Sequence, residues 1–490
     1  LSGLEHWGDW GGQFQNGSLV YYERYFDDTY GFSGSGAVPL QDQLVVTDGY
    51  AVVYQSTDPI SGIGAVLDIT YQTPEGEKTE RVEYKADINL VQAAAVTDEA
   101  GKTSNYYLLL LPDHVINSEY ASDRFYQKIV IADVNGHQEN TYLYNPHFAN
   151  TVIPYEDGLD VNRLQAEIRS PRHLYNLSRF PAYYSSGNQY RFIQGLDLNY
   201  AAYTGYDLFE ADWGQAPIGE SSRRPFRGSY DGECHTISGV QLRSEDENGS
   251  QYQYIGLFGY STGILRDIVL YMETSQPLTA SQSGAGSPVL YAGGLVGGNG
   301  GTVENCAVTG VRLEISCYQY STACVGGFAG LNEGTIRSSA VDVQQITAVA
   351  NLSNCYAGGF VGENAAGGSI DHCYAVGQVA VSRARYGTVY ACGFAGRSSE
   401  PIRRSYAAVG LHVEGEAKSY GFSPDLSENC VYLNNGNFTY LGQHYAAQYT
   451  DPFAGSVTWE ELSGAEESEA VQALRMEEDC LAVQTGGQYP

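Results

Sequence analysis

The sequence predicts an all-β fold, in which a parallel β-solenoid, expected to be a right-handed β-helix, follows an N-terminal antiparallel β domain and carries short capping helices. Glycine and tyrosine are abundant, with 58 and 41 among 490 residues. A glycine-rich unit recurs at a nearly constant period, and no part of it shows the 3.6-residue apolar stripe of a helix. The predicted boundaries are 1–160 for the antiparallel, sandwich-like domain, 161–430 for the solenoid and 431–490 for a C-terminal capping region.

The repeated unit is clearest in YAGGLVGGNGGTVENCAVTG, residues 291–310. Its double-glycine position returns at intervals of 33, 32 and 34 residues, at Gly293, Gly326, Gly358 and Cys392. A degenerate earlier copy starts at Ile255. A unit this short cannot bury its apolar face alone, whereas stacked coils can, with strands paired about 4.8 Å apart. The repeat therefore predicts one coil per unit.

Three sets of repeat positions are assigned structural roles. The glycines are expected to permit close backbone approach and to supply positive φ at corners. The corner asparagines, replaced by Ser398 in the fourth copy, are expected to stabilise turns, with ligand binding as the alternative. The apolar positions are expected to form one buried column. These sets are Gly293, Gly294, Gly326, Gly327, Gly358, Gly359 and Gly393; Asn299, Asn332 and Asn364; and Leu295, Phe328, Phe360 and Phe394.

The nine cysteines indicate packing more than cross-linking. Cys306 and Cys373 occupy the same repeat position, with Ser339 between them. Two coils separate these sulfurs by about 9.6 Å, whereas a disulfide needs Cα atoms within about 7 Å. We therefore expect both residues to stack inward as small hydrophobic side chains. A bridge between Cys430 and Cys480 stays open as an alternative.

The flanks predict different elements. Alternating segments before residue 155 indicate antiparallel strands, with a hairpin at Thr73-Pro74-Glu75-Gly76. Residues 170–180 predict a short helix with Ser170 as N-cap and Pro171 at its first position. Further short helices are predicted from Val457 and from Ser468. Such helices would cover the unpaired strand edges of the end coils.

Few residues indicate a catalytic, metal or ligand-binding site. The net charge of -31 makes nucleic acid and anionic lipid poor partners. Asp133, Asn135, Gly136 and Glu139 partly match a calcium loop, but the bidentate Glu at its twelfth position is missing, so a hairpin turn is favoured. No cofactor, metal ligand or catalytic residue is predicted otherwise. The arginines are expected to form no repeated row with carboxylates: Arg223, Arg224, Arg227, Arg337, Arg403 and Arg404.

The phrase G-G-L-V-G-x-N followed by T-V-x-N-C, residues 293–306, resembles the GLUG repeat of bacterial surface proteins. That repeat occurs in adhesin-like proteins and in non-catalytic regions of immunoglobulin A-cleaving peptidases. Upstream, the segment 217–242 resembles the entry coils of such proteins through Asp231, Gly232, His235, Thr236 and Ile237. The likeness covers about half of the chain, from residue 168 to 410. It implies a parallel β-solenoid and a cell-surface role, and it implies no ligand and no catalytic residue.

Two functional classes follow from these observations. The favoured hypothesis is a non-catalytic, extracellular protein of the bacterial cell surface, an adhesin or structural stalk that binds a host protein or glycan. It is expected to be a monomeric ectodomain, with a signal or anchor in the N-terminal part that this sequence lacks. The alternatives are a carbohydrate-active β-helix enzyme, either a polysaccharide lyase or a glycoside hydrolase, and an accessory region of a surface peptidase.

Overall fold

A computed structural model shows two compact units, residues 1–152 with 202–212, and residues 153–201 with 213–490. In the first unit it describes eight strands and a few flanking residues between 19 and 148. In the second it describes residues 165–184, 190–203, 214–246, 248–272, 276–284, 286, 288–433, 438–440, 443–445 and 451–457, while residues 202 and 203 of this list belong to the first unit. Among all these residues, no helix is both long and apolar enough to cross a membrane.

The first unit contains two antiparallel sheets of four strands each, as the alternating sequence pattern predicts. In pairing order, the first sheet consists of Leu19–Arg24, Thr47–Ser56, Thr103–Pro112 and Leu90–Thr97. The second consists of Gly76–Lys85, Gly64–Thr73, Gln127–Asp133 and Glu139–Tyr144. The antiparallel N-terminal domain is therefore confirmed.

Two predicted turns of this unit can be placed by their flanking strands. Thr73 pairs with Gly76, so the predicted hairpin is present. Ala132 pairs with Glu139 in another antiparallel hairpin, and the partial calcium motif spans the loop between those strands. Residues 134–138 of that loop lie outside the described residues.

The second unit is built from four parallel sheets, numbered 1 to 4 here. Sheet 1 contains Gln165–Ile168, Arg191–Gln194, Ser229–Asp231, Ile264–Arg266, Thr302–Glu304, Thr335–Arg337, Ser369–Asp371, Ile402–Arg403 and Ser427–Glu428. Sheet 2 contains Leu198–Asn199, Thr236–Ser238, Val269–Tyr271, Leu278–Ser283, Ala307–Thr309, Arg312–Tyr318, Ala340–Asn351, Tyr374–Arg383, Tyr406–Gly415, Val431–Leu433 and Gly455–Val457.

Sheets 3 and 4 carry the glycine-rich half of each repeat. Sheet 3 contains Tyr254–Ile255, Leu290–Ala292, Thr322–Gly326, Asn354–Gly358, Val389–Cys392 and Lys418–Tyr420. Sheet 4 contains Phe258–Ser261, Val296–Asn299, Ala329–Asn332, Val361–Asn364 and Ala395–Ser398. A separate antiparallel pair joins Phe438–Tyr440 to Gln443–Tyr445.

Each repeat is one coil, because the chain passes through sheets 3, 4, 1 and 2 in turn before it reaches sheet 3 again. The register follows the repeat: Val296 pairs with Ala329, Ala329 with Val361, and Val361 with Ala395. The predicted parallel β-solenoid is therefore confirmed. The right-handed coil stays a prediction.

The helix Pro171–Arg179 begins where the sequence predicts. The Ser170 hydroxyl accepts a hydrogen bond from the His173 backbone nitrogen at 3.2 Å, which satisfies one free donor of the first turn. Leu174 and Leu177 on this helix are fully buried. Two short 3-10 helices follow at Pro181–Tyr183 and Tyr200–Tyr203. The helices predicted near the C-terminus lie outside the described residues, except that Val457 ends a strand.

The predicted aromatic positions lie in a single column inside the solenoid. The rings of Phe328, Phe360 and Phe394 are fully buried, and their centroids are 4.7 Å apart at each step. Leu295 extends the column below, where its backbone nitrogen donates to the Phe328 carbonyl at 3.1 Å, and Phe422 extends it above. The ring spacing equals the spacing of paired strands, so each coil adds one side chain to the core.

The double glycines of the repeat allow the backbones of neighbouring coils to approach closely, and they do not adopt positive φ. A Cβ at Gly327 would lie 2.4 Å from the Gly359 carbonyl oxygen, and one at Gly293 would lie 2.5 Å from the Val296 carbonyl oxygen. Neither residue has a positive φ. The expectation that these glycines supply positive φ at corners is therefore wrong, because the sharp bend needs space between backbones and not a left-handed residue.

The cysteines fill the interior as expected. Cys306 and Cys373 are buried free thiols, and each backbone nitrogen donates to the serine hydroxyl of the next coil, Ser339 at 3.2 Å and Ser405 at 3.1 Å. Cys430 is also a free thiol, so the bridge to Cys480 that the sequence left open is wrong. Cys234, in contrast, is disulfide-bonded.

Candidate functional site

The asparagines of the repeat end successive strands of sheet 4 and point into the solenoid. The Asn299 Nδ2 donates to the Asn332 Oδ1 at 2.8 Å, and the Asn332 Nδ2 donates to the Asn364 Oδ1 at 2.8 Å. The Asn364 Nδ2 continues the row to the Ser398 hydroxyl at 3.0 Å. All three asparagines are fully buried. This amide ladder binds coil to coil and presents no polar atom to a ligand in solvent.

The left-handed corners lie elsewhere, between sheets 1 and 2. The asparagines of the amide ladder do not have positive φ, so the sequence argument from left-handed tolerance was wrong for them. One recurrent set of positive φ values occurs one corner later, because the chain must turn sharply there before the inward residue, which is Ile268, a cysteine or a serine. These residues are Asp267, Asn305, Ser338, His372, Arg404 and Asn429.

A row of alternating charges crosses sheet 1, which corrects the prediction that the arginines form no repeated row with carboxylates. In register order it contains Asp231, Arg266, Glu304, Arg337, Asp371, Arg403 and Glu428. Arg337 pairs with Glu304 at 2.7 Å and Arg403 with Glu428 at 2.9 Å. We call this row the charge ladder. Arg266 also pairs with Asp231, and Asp371 pairs with Arg404 beside the row, so these charges are neutralised within the fold and their role is structural.

Tyrosines line the contact between the outer sides of sheets 3 and 4. Sheet 3 places Tyr254, Tyr291, Tyr356 and Tyr390 at matching positions, with Cys324 in the middle of the row. The rings of Tyr254 and Tyr260 meet at 4.9 Å across the two sheets. We call the whole set the tyrosine seam; it comprises Tyr254, Tyr260, Tyr291, Tyr356, Tyr390 and Tyr420 with Glu333, Glu363 and Arg397.

Two tyrosines of the seam donate to carboxylates that lie two coils above them. The Tyr260 hydroxyl donates to the Glu333 Oε2 at 2.5 Å, and the Tyr291 hydroxyl donates to the Glu363 Oε2 at 3.3 Å. Small residues on the intervening coil leave space for the tyrosine side chains that extend to these carboxylates. A Cβ at Gly298 would lie 2.6 Å from the Tyr260 ring, so only glycine fits beneath it.

Arg397 contacts both a carboxylate and a tyrosine ring in the upper part of the seam. Its guanidinium donates to the Glu363 Oε2 at 2.7 Å and lies 4.5 Å above the centre of the Tyr356 ring. A cation over an aromatic face is attracted by the ring quadrupole. Tyr356 and Tyr390 meet edge to face at 5.7 Å, and both remain half-buried, so part of each ring reaches solvent.

The electrostatics of the seam keep its phenols neutral. Burial, with the neighbouring Glu333 carboxylate as the second cause, raises the pKa of Tyr260, and burial followed by Glu363 raises the pKa of Tyr291. Burial also raises the pKa of the Cys324 thiol, which stands in the same row. Protonated phenols and thiols are hydrogen-bond donors and poor nucleophiles. Among the described residues, no cluster of three or more His, Cys, Asp or Glu side chains could hold a metal.

Comparison with family models finds matches within the coils of the solenoid. A family model described as the GLUG motif matches residues 289–314 and 353–380. Each match passes through all four sheets and covers most of one coil. The solenoid therefore carries the GLUG motif in two of its coils. No curated protein matches the chain.

Sequence reasoning found the GLUG motif and missed the seam and the charge ladder. The residues of the tyrosine row have a fixed offset from the double-glycine position, whereas the charges follow it by 11 residues in three copies and by 13 in the copy of Asp371, so both rows become visible only when the copies are aligned. Tyr291, Cys324, Tyr356 and Tyr390 stand two residues before Gly293, Gly326, Gly358 and Cys392. That offset was the available signal.

Proposed function

We propose that this GLUG-repeat protein is a non-catalytic protein of the bacterial cell surface, an adhesin or structural stalk that binds a host glycan or protein through the tyrosine seam. The observation that carries the proposal is the row of half-buried rings of Tyr291, Tyr356 and Tyr390, which occupy matching positions on the coils with Cys324 between the first two. Aromatic rings offer apolar faces to a sugar or a side chain.

The remaining features support a binding and display role. Parallel coils give a stiff element with a continuous core, which suits projection of a chain away from a surface. The net charge of -31 disfavours nucleic acid as the partner. The two seam carboxylates already accept hydrogen bonds from tyrosine and arginine, which leaves them poorly placed as a general acid and base.

The proposal is tested by binding to immobilised glycan and mucin panels. Tyr356→Ala and Tyr390→Ala each remove a half-exposed ring and should weaken binding about tenfold, whereas Glu333→Gln should leave it within about twofold. Leu426→Ala is the matched control, because Leu426 is an apolar side chain 53% exposed outside the seam. Equal binding by all four variants would contradict the proposal.

The enzyme alternative has its own measurement. A reducing-end assay on pectins, mucin glycans and glycosaminoglycans should show no turnover. Turnover abolished by one Asp or Glu substitution would replace the binding role with a carbohydrate-active one. The peptidase alternative is tested by the full-length gene product, in which a catalytic domain would make this chain an accessory region.

A further inference from the structure

Tyrosines stand at the tips of two turns that lead from sheet 2 to sheet 3, and the turn between them carries Leu352. We call three successive turns, residues 318–320, 351–353 and 384–387, the turn ridge. Tyr386 is 84% exposed and Tyr320 is 70% exposed, in contrast to the half-buried rings of the tyrosine seam. Aromatic side chains exposed to this degree gain little from the fold itself, so they point to contact with something outside it.

The turns that carry these rings have unfavourable backbone conformations. Gln319 and Tyr320 have φ values of 55° and 66°, and Leu352 on the next coil has a φ of 57°. None of these residues is the glycine or asparagine that this region favours. The turn is held by its neighbours, since the Tyr320 backbone nitrogen donates to the Leu352 carbonyl at 2.7 Å. Strained residues held in this way are frequent at binding sites.

An arginine without a partner lies beside the most exposed ring. Among the described residues, Arg385 makes no ion pair and no hydrogen bond, and it directly precedes Tyr386. Arg383 differs, because it donates to the Gly387 carbonyl at 2.9 Å and pairs with Glu416 of the next turn. The nearby carboxylate is therefore already neutralised. A free guanidinium in a chain of net charge -31 is available for a bidentate bond to an external carboxylate.

We propose that the turn ridge is a second binding site, distinct from the tyrosine seam, for a sugar that carries a single carboxylate on an otherwise neutral glycan. Arg385 binds the carboxylate, and the exposed rings of Tyr386 and Tyr320 pack against the apolar faces of the sugars. The two tyrosines lie on turns two coils apart, about 9.6 Å, which suits a narrow, chain-like ligand. A polyanion is disfavoured, because repeated charges meet the negative potential of the whole chain.

The test uses the full chain and three probes, 3′-sialyllactose, lactose and heparin, in isothermal titration calorimetry at physiological salt. Sialyllactose should bind about tenfold more tightly than lactose, and Arg385→Gln should remove that difference. Tyr386→Ala should weaken sialyllactose binding by a similar factor. Arg227→Gln is the matched control, since Arg227 is an exposed arginine on another part of the solenoid. Circular dichroism should show that each variant is folded.

The inference would be overturned by no binding of sialyllactose, equal binding of lactose, tighter binding of heparin, or an equal loss in Arg227→Gln. The seam variant Tyr356→Ala separates this site from the proposed function. It should bind sialyllactose like the unaltered chain, even where it has lost binding to the glycan panels. A loss of sialyllactose binding in Tyr356→Ala would show a single shared site and would also contradict the inference.

Discussion

At the residue scale, Asn332 shows how a polar side chain stabilises the interior of the solenoid. Its amide accepts from Asn299 and donates to Asn364, both at 2.8 Å, and it is fully buried. Asn332→Ala removes both bonds, so the Asn364 Oδ1 loses its amide donor and the Asn299 Nδ2 keeps only its bonds to backbone carbonyls, such as that of Thr335 at 3.2 Å. The free energy of unfolding should fall by about 2 kcal/mol, as measured by urea denaturation. Asn248→Ala, in an exposed loop, should change it by less than about 0.5 kcal/mol. Equal effects would show that the amide ladder does not stabilise the fold.

At the same scale, substitution of Gly327 tests how closely the backbones of neighbouring coils approach each other. An added methyl group would meet the Gly359 carbonyl oxygen and the Val343 Cγ2, each at 2.4 Å. Gly327→Ala should therefore destabilise the chain by about 3 kcal/mol or prevent folding, with thermal unfolding as the measurement. Gly455→Ala is the control, because its methyl group would find only ordinary contacts at 3.8 Å. A Gly327→Ala chain with unchanged stability would contradict the close approach of the coils.

At the element scale, the charge ladder explains why the strands of sheet 1 pair in one register. Arg337 lies between Glu304 and Asp371, and each neighbour carries the opposite charge. Arg337→Glu puts three carboxylates in succession and should cost about 1 kcal/mol, measured by urea denaturation. The loss should shrink in 1 M salt, where the Debye length is about 3 Å. Arg227→Glu has no such neighbours in the ladder and should cost less. A loss independent of salt would show that packing, not charge, is affected.

At the scale of the whole molecule, the sequence predicted what depends on local pattern. The period near 33 residues, the inward positions around Phe328 and the cap at Ser170 are all fixed by nearby residue types, and the structure shows them. The direction of the Asn299 amide and the partner of Arg337 could not be predicted one repeat at a time. Both depend on the side chain that stands at the same position in the coil above or below, so they become readable only after the register is known.

The central claim is that each repeat is one interchangeable coil, and a deletion tests it most directly. Ala292 occupies the register position of Ala357, two coils above it. Removal of residues 293–357 therefore joins equivalent points and sets Arg266 against Asp371, which keeps the charges alternating. We predict a chain with an unchanged β-type circular dichroism spectrum and a single cooperative unfolding transition. Removal of residues 293–341 joins unlike strands and should abolish folding. Equal behaviour of the two deletions would contradict the stacked-coil account.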